Sequence, residues 1–332
     1  MGASHARDDD GVRLVTNVGS PLSSYARVDP PTRSPLRIGL VQQQWRRDPA
    51  AHEDAIADGV RMAAAAGARL VCLMELTLSP YFAVDPNGPG SSVLGVRIEP
   101  EPLPGGPTHL LAARLAAETG VAIHASLYEA ADAGETDLRG YNTAICVSPS
   151  GDLLARTRKL HLPVTIGYHE DRWFRAGDTG YPVVEIAHAG FGFPTCWDQW
   201  FPEVARAYSL GGAEVLVYPT AIGSEPDHPG FDTEPLWERV ITANGISNGL
   251  HMAVVNRVGV EGPLRFYGSS FVSDPYGRVL ARAPRDEPCV LVVDLDLDTR
   301  RDWLALFPLL TTRRPDTYAP LVDEQGPADA HR

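Results

Sequence analysis

Short apolar runs of strand length recur along this chain, some parted by helix-length amphipathic stretches and others by only a few turn residues. That mixture is what most restricts its fold. Leu36–Gln42 reads as a strand. Ala50–Gly67 sets Ile56, Val60 and Met62–Ala66 among charged residues and ends on glycine, which predicts a helix. Arg69–Met74 is a second buried strand, so the segment opens an α/β domain with a β-α-β unit. A helix at Thr108–Thr119 and a strand at Val121–Tyr128 repeat the alternation, but Tyr141–Val147 and Leu153–Leu160 flank SPSGD as a hairpin. Further strands are expected at Pro182–Ala187, Glu214–Tyr218, Met252–Val258, Ser270–Ser273, Val279–Ala283 and Cys289–Leu295, with helices near Phe201–Leu210 and Glu234–Gly245. Strands outnumber helices, and hairpins occur beside crossovers, so a simple doubly wound parallel sheet fits poorly. The expectation is an α/β fold of four layers, an α-β-β-α sandwich of two mixed sheets with outer helices.

Residues 1–35, which include DPPTRSP, lack sustained periodicity and read as a mobile N-terminal arm, the alternative being a strap onto a partner subunit. Residues 36–321 read as one domain and 322–332 as a flexible tail. The 332 residues are ample for a sizeable core. The net charge of −13 argues against nucleic acid or an anionic membrane as the main partner. No apolar run approaches the roughly 20 residues of a membrane span, and the N-terminus has no signal-peptide pattern. Four cysteines without a CxxC do not make a disulfide framework, and they fit a reduced, cytoplasmic setting. Cys72, Cys146 and Cys289 lie in apolar runs and read as small buried hydrophobes.

Three residues have settings suited to chemistry. Glu75, in LVCLMELTLSPYF, directly follows a buried strand, the edge at which α/β proteins place reactive groups; the alternative is a solvated loop acid. Lys159, in RTRKLHLP, closes a strand before a proline-limited loop; the alternative is a solvated lysine. Cys196, in GFGFPTCWDQWFPEVAR, stands at a sharp turn between strand and helix, where a helix dipole and cationic neighbours can acidify a thiol; the alternative is a structural cysteine. Together they supply a base, a cation and a nucleophile, the needs of amide cleavage.

On these motifs the chain resembles the nitrilase superfamily of carbon–nitrogen hydrolases from about Leu36 to Leu321. That family carries a second glutamate shortly after the lysine, and Glu170 in GYHEDRWF matches it. Within the family the resemblance is to the N-carbamoylputrescine amidase branch, through CWDQWFPEVAR, YPTAIGSEP and FYGSSFVSDPYG. Thr195 before the nucleophile, His169, the loop 83–103 and the N-terminal arm depart from the pattern and bear on the substrate. The resemblance implies that Cys196 attacks a carbonyl carbon, Glu75 moves protons, Lys159 and a backbone N–H stabilise the oxyanion, and Glu170 holds the lysine. It implies no metal and no cofactor, a small-molecule substrate with water as co-substrate, and a homodimer or higher homo-oligomer. Trp303–Leu310, apolar and beyond the last strand, fits such an assembly.

Tyr81 and Trp197 are expected to shape the pocket, with Phe82 and Trp173 as further aromatic candidates. Glu225, in AIGSEP, is a candidate partner for a substrate ammonium, whereas Arg172, Arg257 or Arg265 would serve an anionic substrate. The expected reaction is hydrolysis of an N-carbamoyl amine or small amide through a Cys acyl- or carbamoyl-enzyme, with release of ammonia. The alternatives are an N-carbamoyl amino acid hydrolase, an aliphatic amidase or nitrilase, an acyltransferase, a papain-like set of Cys196, His251 and Asn256, and a non-catalytic scaffold.

Overall fold

The computed structural model describes residues 4–7, 12–19, 21–132 and 137–323. The strands of the two main sheets are β1 (Ser4–Arg7), β2 (Arg13–Asn17), β3 (Leu36–Gln42), β4 (Leu70–Leu73), β5 (Ala122–Glu129), β6 (Tyr141–Val147), β7 (Leu153–Arg158), β8 (Val183–Ile186), β9 (Ala189–Gly192), β10 (Val215–Thr220), β11 (His251–Asn256), β12 (Phe271–Ser273), β13 (Val279–Arg282) and β14 (Cys289–Leu295). The principal helices are α1 (Pro49–Ala65), α2 (Pro107–Thr119), α3 (Pro202–Leu210), α4 (Glu234–Asn248) and α5 (Asp298–Leu306). Eight strands form one sheet in the order β1-β2-β14-β3-β4-β5-β6-β7, and six form the other in the order β8-β9-β10-β11-β12-β13.

Parallel neighbours need a long crossover, and helices supply it. β3 runs parallel to β4, and β4 to β5, with α1 and α2 between them; β9 to β10 and β10 to β11 repeat this with α3 and α4. Each parallel core then ends in two antiparallel strands, β6 and β7 or β12 and β13. α1 starts where the Asp48 side chain accepts the Ala51 N–H with Pro49 in the first turn, and it stops before Gly67, whose φ of 89° few other residues adopt.

Alternation along the strands sorts the layers. Leu70 and Cys72 of β4 face the other sheet, together with Leu291 and Val293 of β14 and Val215 and Val217 of β10. Val71 and Leu73 face α1 and α2, and Leu216 and Tyr218 face α3 and α4. Strands buried on both faces read as unbroken apolar runs, and each such side chain contributes roughly 1.5–3 kcal/mol by its burial. The architecture is therefore the expected four-layer α-β-β-α sandwich of mixed sheets.

The N-terminal segment departs from the expectation of a mobile arm. β2 adds to the edge of β14 in parallel register, burying Val15. Farther along, Arg27 pairs with Asp296 and Asp302, and the Thr32 and Arg33 N–H groups donate to the Asp298 carboxylate. Burial alone would raise the pKa of Asp298, but these N–H donors and the Arg33 side chain hold it down to about 2. The segment thus straps onto its own subunit, because an open strand edge and the acids Asp296, Asp298 and Asp302, just before and on α5, await it. Of the expected flexible tail, residues 324–332 lie outside the described residues. Among the described residues no helix is long and apolar enough to cross a membrane.

Candidate active site

Glu75 lies just past the end of β4, and Lys159 directly follows β7, so the first sheet brings them to one edge. The Lys159 ammonium donates to Glu75 Oε1 at 2.9 Å and to Glu170 Oε1 and Oε2 at 2.8 and 2.7 Å. All three side chains are fully buried. Glu170 begins a single helical turn, Glu170–Trp173, and also accepts the Tyr81 hydroxyl at 2.8 Å. Asn142 Nδ2 donates to Glu75 Oε1 at 2.7 Å, while Glu75 Oε2 has no hydrogen-bond partner among the described residues.

Cys196 comes from the second sheet. It follows β9 and opens the 3₁₀ turn Cys196–Trp200 with a φ of 40°, a left-handed conformation uncommon for a residue with a side chain. Asp198 ties this turn to the lysine strand. Its carboxylate accepts the Thr195 N–H at 3.1 Å, the His161 N–H at 2.9 Å and the Leu160 N–H at 3.4 Å. The His161 ring sets Nδ1 2.8 Å from Asp198 Oδ1 and stacks on Phe201.

Electrostatics correct one expectation. The Cys196 thiol is not acidified but pushed well above its ordinary value. Burial is the main cause and the Glu75 carboxylate adds to it, outweighing the Lys159 ammonium and the Ala221 N–H aimed at the sulfur. The resting group is therefore a thiol whose proton must be taken by a base. Burial opposes the charge on Lys159, yet Glu170 and Glu75 overcome it and raise the lysine pKa. Burial, helped by Glu75, raises Glu170 against the opposing pull of Lys159 and Tyr81.

Cys196, Glu170, Tyr81, Trp197 and Glu225 line one cavity of about 420 Å³. Among the described residues lining it there is no lysine or arginine, while two carboxylates besides Glu170, Glu225 and Asp227, are present with His228 beside them. Phe82 and Trp173 are instead buried in a neighbouring aromatic core. The arginines considered for an anionic substrate are engaged or turned away. Arg172 is solvent-exposed beside Asp171, Arg265 lines a different surface depression, and Arg257 is buried in an ion pair with Glu261. His251 and Asn256 occupy opposite ends of β11, about 16 Å apart at strand rise. Asn256 is bonded to the backbone of Ile222 and Gly268, so these residues form no triad with Cys196.

Asn142, Asp198 and Tyr168, which also lines the cavity, escaped the sequence reading. Only Asp198 carried a local signal, since Thr195-x-x-Asp198 has the spacing of a capping box. Among the described residues no group of three or more His, Cys, Asp and Glu side chains is arranged to hold a metal.

Residues 37–305 match the family described as carbon-nitrogen hydrolase. The chain belongs to the carbon–nitrogen hydrolase family. It is a hydrolase acting on amides, and its nitrilase-type α/β sandwich is shared with solved members of the superfamily. It is 37% identical over 275 residues to an N-carbamoylputrescine amidase of Solanum lycopersicum, covering 80% of this chain and 88% of that one. It is 31% identical to a citrullinase of Francisella tularensis, covering 86% and 98%. An amidase from Nesterenkonia sp. AN1, solved with acrylamide added at its active-site cysteine, superposes with a TM-score of 0.67 at 27% identity, covering 86% of this hydrolase and 100% of that chain.

Proposed function

We propose that this hydrolase cleaves an N-carbamoyl amine whose far end is an ammonium, a substrate of the N-carbamoylputrescine type. Cys196 is the nucleophile. Glu75, through Oε2, which has no partner among the described residues, takes the thiol proton as sulfur bonds to the carbamoyl carbon. Lys159 and the N–H after Cys196 stabilise the oxyanion. The oxyanion collapses, the bond to the terminal NH2 breaks, and Glu75 returns the proton to the departing ammonia. Glu75 then takes a proton from water as its oxygen attacks the thiocarbamate, and Cys196 leaves as the thiol. The carbamic acid released loses CO2 to give the free amine. Glu170 holds the lysine charge throughout.

The observation that carries the substrate reading is the lining of the cavity, two added carboxylates with no lysine or arginine among the described residues. Glu225 is half-buried, and burial together with Asp227 raises its pKa against the opposing pull of His228, which also lines the cavity. An entering ammonium relieves that cost, whereas a carboxylate would add to it. This supports a carbamoyl amine over a carbamoyl amino acid such as citrulline. The test compares ammonia release from N-carbamoylputrescine, L-citrulline and N-butylurea, with and without Glu225→Gln. The substitution is expected to raise KM for N-carbamoylputrescine roughly tenfold or more and to leave N-butylurea nearly unchanged. Equal effects on both, or better turnover of citrulline by the unmodified protein, would overturn the cationic reading.

The assembly proposed is a homodimer or larger. Leu210 of α3 lines one surface depression with Leu321 and Val322, Leu306 and Phe307 at the end of α5 are further exposed apolar side chains, and a second copy of the chain is the proposed cover.

A further inference from the structure

Arg257 is a large side chain buried without any exposed surface, and the chemistry above makes no use of it. It follows β11 directly, in the second sheet, yet its guanidinium reaches the loop of the first sheet that carries Glu75. Nη2 donates to the carbonyl oxygens of Glu75 at 2.7 Å, Leu76 at 3.2 Å and Ser79 at 3.2 Å. Nη1 donates to both oxygens of Glu261, at 2.6 and 2.8 Å. Glu261 Oε2 in turn accepts the Tyr81 N–H at 2.6 Å. One ion pair therefore grips both ends of the segment 75–81, the end with Glu75 and the end whose tyrosine hydroxyl holds Glu170. Within that segment Leu76 has a φ of 50°, a conformation that persists in a non-glycine residue only where its surroundings impose it.

The residue before Arg257 faces the other half of the site. Asn256 Oδ1 accepts the Ile222 N–H at 3.0 Å, and Nδ2 donates to the Ile222 carbonyl at 2.9 Å. Ile222 adjoins Ala221, whose N–H points at the Cys196 sulfur. Asn256 Oδ1 also accepts the Arg257 N–H at 2.9 Å. A dipeptide at one strand end thus bonds to the nucleophile's surroundings through Asn256 and to the base's loop through Arg257.

We propose that Arg257 and Glu261 are positioning residues that fix the Glu75 and Glu170 carboxylates relative to Cys196 across the gap between the sheets. A guanidinium suits the task because its planar fork fixes the direction of several bonds at once, which a lysine ammonium cannot do. The loop has other ties, since Ser126 and His52 bond Leu76 and Thr77. Loss of the Arg257 grip should therefore shift the carboxylates without unfolding the loop. The inference rests on the reading of Cys196 as nucleophile and Glu75 as its base.

The experiment compares the unmodified protein with Arg257→Lys, Glu261→Gln and the double variant. One readout is kcat and KM for N-carbamoylputrescine, counted per thiol that iodoacetamide titrates at Cys196. The other is the rate of that alkylation as a function of pH, which requires no substrate. The expected result is a fall in kcat of roughly 10–100-fold for Arg257→Lys with KM nearly unchanged, the size that a displacement of about an ångström brings. Slower alkylation of Cys196 should accompany it, Glu261→Gln should move both readouts in the same direction, and the double variant should lose less than the product of the single losses. Native kcat per titrated thiol together with a native alkylation profile would overturn the proposal, whatever the change in melting temperature. Should Arg257→Lys not yield folded protein, Glu261→Gln alone decides by the same readouts. An unmodified protein inert to N-carbamoylputrescine would count against the substrate reading and leave the alkylation comparison to judge this one.

Discussion

One Glu75 oxygen is bound by Lys159 and Asn142, and the other has no partner among the described residues. Glu75→Gln keeps the volume and an oxygen to accept from Lys159 but removes the proton acceptor. Its kcat should fall by roughly 10²–10⁴, the usual worth of a general base, with little change in melting temperature. A loss below tenfold would point to another base. Three other buried residues weaken the fold as the pH falls below neutrality. Burial holds the pKa of His124 down to about 3 and those of His52 and His251 to about 4, from an ordinary 6.5. The unfolded chain therefore binds protons first as pH falls. Their contribution is complete above about pH 6.5 and is lost progressively towards pH 4, at roughly 1.4 kcal/mol per group per pH unit. Denaturant midpoints at pH 7, 6 and 5 should fall steeply, and His124→Phe, which keeps a ring against Phe193, should flatten the slope. At this scale the sequence was readable where a candidate catalytic residue sits at a strand end, as Glu75 and Lys159 do. Asn142 was not, because it lies within a strand and reaches Glu75 only through a pairing that joins β4, β5 and β6.

Among the elements, the strands and helices with strong periodicity were legible, and even the hairpin around SPSGD stands where its turn residues put it. β2 was not. Its five residues have no apolar repeat of their own, and their partner β14 is near the other end of the chain. The helix at Glu234 likewise runs on to Asn248, past an internal Gly245 that suggested its end; Gly249, at φ 63°, is the actual stop. Removal of residues 1–19 should uncover the edge of β14. The expected outcome is a fall of a few degrees in melting temperature, at about 2–4 °C per kcal/mol for chains of 150–250 residues, with association through the open edge. Calorimetry and light scattering at rising concentration would check it, and an unchanged melting temperature would show that β2 adds nothing to stability.

For the whole molecule, the first expectation is an assembly. Light scattering at micromolar concentration should give a mass of about 72 kDa, twice the 35.9 kDa of one chain, or a higher multiple. Glu substitutions at both Leu306 and Phe307 should lower it. A stable monomer would refute the proposed cover. A different consequence follows from the way β14, made by the last third of the chain, lies between β2 and β3 of the first sheet. Cleaved after Gly180, the polypeptide would become two interlocking halves. One would hold Glu75, Lys159 and Glu170, the other Cys196, and neither could finish its hydrogen bonding alone. The pair should behave as a clasp, inert as separate fragments and active when co-expressed, with β14 of one half threaded into the sheet of the other. Ammonia release that tracks one-to-one recombination would establish it, and activity in either fragment by itself would rule it out.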